Sequence, residues 1–289
     1  MRVSSQGKRI PDGITPVTGD LTDPYSLAQA VKLARPDVVF HLAALTPVSE
    51  SFNQPLTYMD VNYGGTVRLA ETCRRYLENL ELFIYASSTE TVGWHRWHEG
   101  SITEKTPCRP NTPYAISKYA AEQYLLNYMY RAYNFPAVVV KPTNTYGRAP
   151  VRQTHFVVEK ILVAMLRGEP ELRLGNPDPV RDFMFREDHV DAYLSILETH
   201  EKGKTLAGET YCFGTGVGVT IKQLVETAAK LLDWNGRVLW RTGHYRPADC
   251  PHIVVSAEKA KQELNWEPRY DLHNGLLKAA LEWKKVLGL

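Results

Sequence analysis

The sequence predicts a doubly wound α/β fold, in which a mostly parallel sheet carries helices on both of its faces. The first half of the 289-residue chain alternates short apolar runs with longer helical stretches. The apolar runs are rich in β-branched residues, as expected for strands that are buried on both faces of a parallel sheet. Such alternation implies right-handed crossovers between parallel strands. The second half is richer in turns and predicts a smaller region built over the edge of the sheet.

The individual elements of this fold can be assigned in chain order. The apolar runs predict strands at 37–42, 80–86 and 137–140. Asp23 supplies an N-cap and Pro24 the first residue of a helix that runs to near Ala34. Longer stretches predict helices at 62–78, 114–133 and 221–232.

Composition and charge argue against several classes of protein. The net charge is +2 and the basic residues are scattered, which gives no reason to expect nucleic acid or an anionic membrane as a partner. No apolar run approaches the roughly 20 residues of a membrane span, and the N-terminus has no apolar signal core. The cysteines stand far apart without CxxC pairing, which favours reduced thiols over a metal site. We therefore expect a cytoplasmic protein.

The strongest local signal is the pair formed by Tyr114 and Lys118, which has the spacing YxxxK at the start of a predicted helix. A separation of four residues puts the phenol and the ammonium on one helical face. A lysine cation beside a tyrosine favours the phenolate and lowers the tyrosine pKa. The phenolate can then accept a hydroxyl proton while a hydride leaves the same carbon. Taken alone, the pair is also typical of an ordinary amphipathic helix.

A hydroxyl-rich segment follows the second predicted strand. Ser87, Ser88 and Thr89 come directly after the apolar run, and Glu90 is next. Because ligands of α/β sheets bind at the carboxyl ends of the strands, these side chains are candidates for a site. A polar strand exit without function is the alternative.

This strand end and the later YxxxK pair together resemble the Ser/Thr–Tyr–Lys triad of the extended short-chain dehydrogenase/reductases, the nucleotide-sugar epimerases and dehydratases. Seven further landmarks occur in the order that this family shows. They are Gly19-Asp20-Leu21, His41-Leu42-Ala43-Ala44, Val61-Asn62 with Gly65-Thr66, Pro142-Thr143-Asn144-Thr145-Tyr146-Gly147, Arg181-Asp182-Phe183, Arg246-Pro247-Ala248-Asp249 and Leu264-Asn265-Trp266-Glu267-Pro268. The resemblance implies a Rossmann-like fold, NAD or NADP as cofactor, and a nucleotide-diphosphate sugar as substrate.

The resemblance also implies roles for individual residues, with no metal among the ligands. The catalytic residues would be Ser88, Glu90, Tyr114 and Lys118. The cofactor-binding residues would be Asp20, Leu21, Leu42, Ala43, Ala44, Asn62, Tyr114, Lys118, Pro142 and Thr143. The substrate-binding residues would be Ser88, Thr89, Asn144, Arg181, Arg246 and Asp249. A guanidinium can bind a diphosphate through two parallel hydrogen bonds. A surface ion pair of Arg181 with Asp182 or Asp178 is the alternative.

Domains and assembly are likewise implied by the resemblance. A dinucleotide-binding domain would comprise 1–148 with part of 181–215, and 149–289 would be mainly substrate-binding. A homodimer would form through the helices at 62–78 and 114–133. Residues that recur at helical spacing on the second of these are Tyr124, Leu125, Tyr128, Met129 and Ala132. The same spacing equally predicts a buried core face.

The chain departs from the family pattern at its start. The family opens with a strand, a GxxGxxG turn and a helix whose N-terminus holds the cofactor pyrophosphate, and no such unit precedes Gly19. The sequence therefore predicts a sheet that lacks its first strand and helix. The segment 214–218, Gly-Thr-Gly-Val-Gly, does not replace them, because its glycines have the wrong spacing and no βαβ unit surrounds it.

The presence of Glu90 helps to distinguish between the reactions that this family catalyses. By resemblance, a glutamate two positions after the catalytic hydroxyl is typical of sugar 4,6-dehydratases, where it removes the C5 proton, and Thr89 resembles the GDP-mannose type. The expected activity is therefore that of an NDP-hexose 4,6-dehydratase that oxidises C4 transiently. The alternative for Glu90 is that it caps a turn or pairs with Lys105 or Arg109.

Two other functions remain open from the sequence. The first is a 4-epimerase of the UDP-glucose type, which shares the initial oxidation at C4. The second is a non-catalytic cofactor-binding protein or truncated paralogue, which the missing glycine-rich turn favours. The presence of Ser88, Tyr114 and Lys118 favours an enzyme.

Overall fold

The computed structural model describes residues 11–93, 100–147, 156–242 and 250–289. The strands are β1 (Val38–His41), β2 (Leu82–Ala86), β3 (Ala137–Pro142), β4 (Asn144–Tyr146), β5 (Glu171–Arg173), β6 (Val180–Phe185), β7 (Thr210–Phe213), β8 (Gly218–Thr220), β9 (Arg237–Leu239) and β10 (His252–Ile253). The helices are α1 (Pro24–Ala34), α2 (Val48–Asn53), α3 (Pro55–Tyr58), α4 (Gly65–Tyr76), α5 (Pro113–Gln123), α6 (Arg131–Tyr133), α7 (Val157–Leu166), α8 (Arg186–Glu201), α9 (Ile221–Leu231), α10 (Glu258–Leu264) and α11 (Leu272–Leu287).

The chain divides into two compact units. The first unit comprises Met1–Ser87, Thr112–Val139 and Thr205–Thr210. The second unit comprises Ser88–Asn111, Val140–Lys204 and Tyr211–Leu289. Compactness does not report which ligand a unit binds, so the division into a dinucleotide-binding and a substrate-binding part stays a prediction.

The main sheet has the strand order β1-β2-β3-β7. β1 and β2 pair in parallel, with Val38 opposite Leu82 and His41 opposite Tyr85. In the first unit, buried side chains of α1, α4, α5 and the following turn pack on β2 and β3 to form one hydrophobic core. A parallel sheet with flanking helices confirms the predicted α/β fold class.

The local signals at α1 behave as predicted. The Asp23 carboxylate accepts a hydrogen bond from the backbone N–H of Tyr25 at 2.9 Å, and Pro24 is the first helical residue. The strands predicted from apolar runs are also present, with ends that differ by one or two residues. The predicted helix at 221–232 is α9.

The two long helices of the first unit are less regular than predicted. A π-helical turn at Met59–Gly64 leads into α4, and another at Tyr124–Tyr130 joins α5 to α6. The helix predicted at 62–78 therefore begins within a π-helical turn, and the one predicted at 114–133 consists of three segments.

The second unit contains two smaller sheets and its own core. β6 lies between β10 and β4 and also pairs with β8, and β5 pairs with β9. Buried side chains of α7, α9 and α11 pack against β4 and β6 to form the largest part of this core. Across the described ranges of both units, no helix combines the length and apolarity needed to cross a membrane.

Candidate active site

Helix α5 carries the predicted Tyr–Lys pair in the first unit. The hydroxyl of Thr112 accepts a hydrogen bond from the backbone N–H of Ala115 at 3.1 Å, and Pro113 is the first helical residue. This cap fixes Tyr114 in the first turn of the helix. Tyr114 is 7% exposed and Lys118 is 3% exposed. The two side chains thus occupy a largely dry helical face, as the YxxxK spacing predicts.

Lys118 is held against the sheet by Tyr85. The lysine ammonium lies 4.6 Å from the centroid of the Tyr85 ring, and the Tyr85 hydroxyl donates a hydrogen bond to the Lys118 carbonyl oxygen at 3.4 Å. Burial lowers the pKa of Lys118 to about 7, and the charge of Glu122 opposes that change. A lysine with a pKa near neutrality is sensitive to any charge placed beside it.

Glu122 follows one helical turn after Lys118 and was not among the residues predicted from the sequence. It is 2% exposed, and its carboxylate accepts a short hydrogen bond from the hydroxyl of Ser87. The four-residue spacing from Lys118 is a signal that would have pointed to it.

His41 ends β1 and is buried. Its Nε2 lies 2.9 Å from the hydroxyl oxygen of Thr66, and that hydroxyl donates its single proton to the Asn62 carbonyl oxygen at 2.6 Å. Nε2 must therefore carry the imidazole proton and act as the donor. Burial, assisted by the charge of Lys118, lowers the pKa of His41 to about 3, so the ring is neutral near pH 7.

Asn62 fixes the segment that follows β1. Its side-chain oxygen accepts a hydrogen bond from the backbone N–H of Leu45 at 2.8 Å, and its amide donates to the Leu45 carbonyl oxygen and to the Ser117 hydroxyl at 3.0 and 3.1 Å. These bonds tie the segment after β1 to α5. A cofactor role for Asn62 therefore stays a prediction, and we expect it to act through the segment it holds.

The segment after β1 presents an apolar surface. The side chain of Leu42 is 54% exposed, and Ala43 and Ala44 are partly buried. Exposed apolar groups at the carboxyl end of a parallel strand fit the position where α/β sheets bind flat, largely apolar ligands.

Asp20 and Leu21 lie in the turn before α1. The Asp20 carboxylate accepts hydrogen bonds from the backbone N–H and the hydroxyl of Thr22 at 2.8 and 2.7 Å, which hold the pKa of that carboxyl at about 2. Leu21 packs on Gly65, where an added Cβ would approach the Leu21 Cβ to 2.8 Å. An ionised Asp20 can accept hydrogen bonds from ligand hydroxyl groups, and cofactor binding by Asp20 and Leu21 stays a prediction.

In the second unit, Ser88 and Glu90 share one tight turn. The Ser88 hydroxyl accepts a hydrogen bond from the backbone N–H of Glu90 at 3.2 Å at the start of the 3₁₀ turn Thr89–Val92. Gly93 closes this turn with a φ of +59°, and a Cβ there would lie 2.0 Å from the carbonyl oxygen of Arg109. Only glycine fits this position without displacing the backbone.

The Glu90 carboxylate is partly exposed, and within the described residues it forms no hydrogen bond or ion pair. Neither Lys105 nor Arg109 is paired with it, so the ion-pair alternative from the sequence is wrong. An uncommitted carboxylate next to Ser88 is free to accept a proton from a ligand.

Other predicted site residues of the second unit are joined by hydrogen bonds. The Thr89 hydroxyl donates to the Pro142 carbonyl oxygen at 3.2 Å, and the Thr143 hydroxyl donates to the Asp182 carbonyl oxygen at 2.9 Å. Asn144 is partly buried on β4, opposite Phe183 of β6. The structure therefore connects the turn after β2 with the end of β3 and with β6.

Arg181 is buried on β6, with only 5% of its surface exposed, and its Nη1 donates to the Val180 carbonyl oxygen at 2.8 Å. This burial contradicts the alternative of a surface ion pair. Asp178 instead lies 3.6 Å from the guanidinium of Arg241. Binding of a diphosphate by Arg181 stays a prediction. Arg246 and Asp249 lie outside the described residues.

Asp182 has a structural function that the sequence did not reveal. Its carboxylate accepts hydrogen bonds from the N–H and hydroxyl of Thr215 at 2.9 and 2.6 Å, and from the N–H groups of Gly216 and Val255 at 3.1 and 3.3 Å. Burial raises the pKa of this carboxyl, and the hydrogen bonds oppose the rise. These hydrogen bonds hold the glycine-rich segment after β7, residues 214–218, against Asp182.

The α/β fold and the buried Tyr–Lys pair define an enzyme of the extended short-chain dehydrogenase/reductase class, and comparison with known proteins confirms this class. The family model described as GDP-mannose 4,6 dehydratase matches residues 2–279, and the chain belongs to this family.

Individual relatives and structures agree with that membership. The dTDP-glucose 4,6-dehydratase of Xanthomonas campestris is 29% identical over 92% of this chain and 78% of the relative. The GDP-mannose 4,6-dehydratase sdnI of Sordaria araneosa is 33% identical over 91% of this chain and 51% of the relative. The crystal structure of the UDP-glucose 4-epimerase of Thermus thermophilus in complex with NAD has a TM-score of 0.85 and 27% identity, covering 97% of this chain and 89% of that chain.

Proposed function

We propose that this chain is an NDP-hexose 4,6-dehydratase of the GDP-mannose type. Family membership over residues 2–279 supports the nucleotide-sugar substrate class, and two relatives named as 4,6-dehydratases support the reaction. The observation that carries the proposal is the carboxylate of Glu90 beside Ser88, which has no partner among the residues that the structure describes. A 4,6-dehydratase needs a base for the C5 proton in addition to the groups that oxidise C4, and Glu90 can supply it.

The cofactor in this proposal is NAD or NADP, which supplies reversible hydride transfer when bound. By the resemblance, the residues that would hold the dinucleotide are Asp20, the segment Leu42 to Ala44, Tyr114, Lys118, Pro142 and Thr143. The structure of the Thermus thermophilus epimerase in complex with NAD supports the choice of cofactor. Cofactor binding by residues 1–148 with part of 181–215, and substrate binding mainly by 149–289, belong to the same proposal.

Proton transfer at C4 is the task of Tyr114. Its phenolate accepts the proton of the C4 hydroxyl as that carbon is oxidised, and the Lys118 cation stabilises the phenolate. Ser88 donates a hydrogen bond to the C4 oxygen. Arg181, Arg246 and the other substrate-binding residues predicted from the sequence would hold the nucleotide diphosphate.

Proton transfer at C5 is the task of Glu90. Oxidation at C4 acidifies the neighbouring C5–H, and the Glu90 carboxylate accepts that proton. The C6 hydroxyl leaves as water by taking up one proton, which balances the proton that Tyr114 accepted from the C4 hydroxyl. Glu90 then returns a proton to C5, and C6 would receive from a bound cofactor the hydride that C4 gave up, so the reaction is redox-neutral. The net change is conversion of an NDP-hexose to an NDP-4-keto-6-deoxyhexose and water.

Turnover in deuterated water tests this reaction. The product from GDP-mannose should be a 4-keto-6-deoxy sugar that carries deuterium at C5, because the proton on Glu90 exchanges with solvent. Glu90→Gln should lower product formation by at least about 10²-fold and still permit oxidation at C4, whereas the exposed control Glu198→Gln should behave as the parent. Inversion at C4 with an unlabelled C5 would reject the dehydratase.

A 4-epimerase is the second candidate, and the fold match to the Thermus thermophilus UDP-glucose 4-epimerase favours it. An epimerase has no proton to remove from C5, so it would tolerate Glu90→Gln. The third candidate, a non-catalytic binding protein, would bind cofactor and sugar nucleotide without forming either product.

The proposed assembly is a homodimer, formed through α4, α5 and the π-helical turn after α5. Tyr128 is 42% exposed on this turn, whereas Leu125 and Met129 are fully buried in the core. The periodic face predicted from the sequence thus contains both core residues and exposed ones. A cytoplasmic location stays a prediction.

A further inference from the structure

We propose that Glu122 is a positioning residue that holds Lys118 in its cationic form and thereby supports proton transfer at Tyr114. The last part of this inference rests on the proposed function, whereas the effect on Lys118 does not. Glu122 belongs to neither the catalytic nor the binding residues assigned above.

The three side chains form one row on α5. Successive members are four residues apart, which places them on the same helical face. Tyr114, Lys118 and Glu122 are 7%, 3% and 2% exposed. Charges in such a row are screened little by solvent, so each one affects its neighbour more than a surface charge would.

Ser87 orients the carboxylate. It comes directly after β2, and its hydroxyl donates a short hydrogen bond to Oε1 of Glu122. A hydrogen bond to the charged form of a carboxyl favours that form. A buried ammonium needs a partner of opposite charge to offset its desolvation. The end of β2 therefore fixes the carboxylate on the helical face that carries Lys118.

Ionisable groups lie near Lys118 on β1, β2 and α5, and the elements that pack on α5 carry others. They are His41 on β1, Tyr85 on β2, Glu50 on α2, Tyr58 on α3, Asp60 and Tyr63 on the first π-helical turn, and Tyr114 and Glu122 on α5.

Most of these groups do not supply a buried negative charge. His41 is neutral near pH 7, and burial raises the pKa of Tyr85 well above its ordinary value. Asp60 is exposed and paired with Arg68, and Glu50 is exposed. Glu122, in contrast, is buried, and its charge raises the pKa of Lys118 against the opposing effect of burial.

The charge of Glu122 affects how Tyr114 and Lys118 share one proton. When the Tyr114–Lys118 pair has lost one proton, it exists either as phenolate with ammonium or as phenol with amine. Only the first form accepts the substrate proton. A negative charge beside the lysine favours the ammonium and thus the active form, and it raises the pH at which the ammonium is lost.

The variant Glu122→Gln tests this effect because it removes the charge but keeps the shape and an oxygen that accepts from Ser87. The pH at which the Lys118 ammonium is lost should fall by about one unit. This can be measured by NMR of protein labelled with ¹³C at the lysine ε-carbon, with the Lys118 signal assigned by Lys118→Arg. Glu122→Asp keeps the charge, and its pH midpoint for loss of the Lys118 ammonium should lie between those of the parent and Glu122→Gln. Glu78→Gln removes a charge from an exposed residue and should leave the Lys118 midpoint as in the parent.

Turnover provides the second measurement. In Glu122→Gln, the basic limb of the kcat/KM profile should move to lower pH by the same amount, and kcat should fall while KM changes little. A Lys118 midpoint that is unchanged in both Glu122→Asp and folded Glu122→Gln would overturn the inference. A midpoint that moves in a protein without turnover would retain the inference about Lys118 and reject the proposed function.

Discussion

Acidification should destabilise the first unit through His41. The imidazole is 3% exposed and neutral, because burial and the charge of Lys118 lower its pKa from 6.5 to about 3. The unfolded chain, by contrast, takes up a proton at this residue below about pH 6.5. The stabilisation is therefore fully present above that pH and is lost as the pH falls toward about 3.

The size of the effect follows from this difference in proton binding. Lowering the pH from about 7.5 to about 5 should cost about 2 kcal/mol of unfolding free energy through His41 alone, at 1.36 kcal/mol per unit of pKa difference. Most ordinary carboxylates remain ionised in this window. Lys118 changes stability in the same direction, because its folded pKa of about 7 lies below its ordinary value of 10.5. Comparison with a His41 variant isolates the histidine.

The comparison uses His41→Gln, in which the amide can still donate a hydrogen bond to Thr66 but does not titrate. Hydrogen exchange of peptides from β1 and β2, followed by mass spectrometry, reports the opening free energy of this part of the fold. Between the two pH values, the opening free energy of the parent should fall by about 2 kcal/mol more than that of His41→Gln. His273→Gln, which changes an exposed histidine, should follow the parent. Equal losses in the parent and in His41→Gln would refute the reasoning.

Two further predictions concern the site itself. Tyr114→Phe should lower turnover by at least about 10²-fold. Folding and sugar-nucleotide binding should be nearly unchanged, because only a hydroxyl is lost. A variant that keeps more than about a tenth of the parent rate would exclude Tyr114 from the acid–base role. Arg181→Lys keeps the charge but loses the planar fork, and calorimetry should show about tenfold weaker binding of GDP, a loss of about 1.4 kcal/mol. The exposed control Arg241→Lys should bind GDP as the parent does, and an unchanged affinity in Arg181→Lys would show that Arg181 does not bind the diphosphate.

Local sequence signals predicted most elements of the first unit. Asp23 and Pro24 mark the start of α1 because capping and the fixed φ of proline act within a few residues. The β-branched runs predicted the strands for a similar reason, since burial on both faces of a sheet demands continuous apolar sequence. The Tyr114–Lys118 pair could be found because its geometry is that of a single helix.

Features that depend on packing between distant segments could not be predicted. The π-helical turns interrupt helices whose composition is ordinary, and the first of them packs on α5. The sequence places Asp182 in a motif expected on the substrate side, but its carboxylate binds the backbone of residues more than thirty positions away. The perturbed pKa of His41 follows from tertiary burial, which a histidine at the end of an apolar run does not reveal.

The proposed homodimer leads to a prediction that distinguishes residues of a subunit interface from residues of the core on one helical face. Tyr128 is 42% exposed and its hydroxyl lies 3.0 Å from that of Tyr133, whereas Leu125, three residues earlier, is fully buried. Tyr128→Glu should therefore shift the protein from dimer to monomer at a smaller cost in stability than a change in the core, because the contacts with Tyr124 and Tyr133 that it removes within the chain are partly exposed. Leu125→Ala should instead lower the unfolding free energy by about 2–5 kcal/mol and leave the dimer of the folded protein intact. Light scattering and urea unfolding measure the two effects, and a parent protein that is monomeric at micromolar concentration would exclude the dimer.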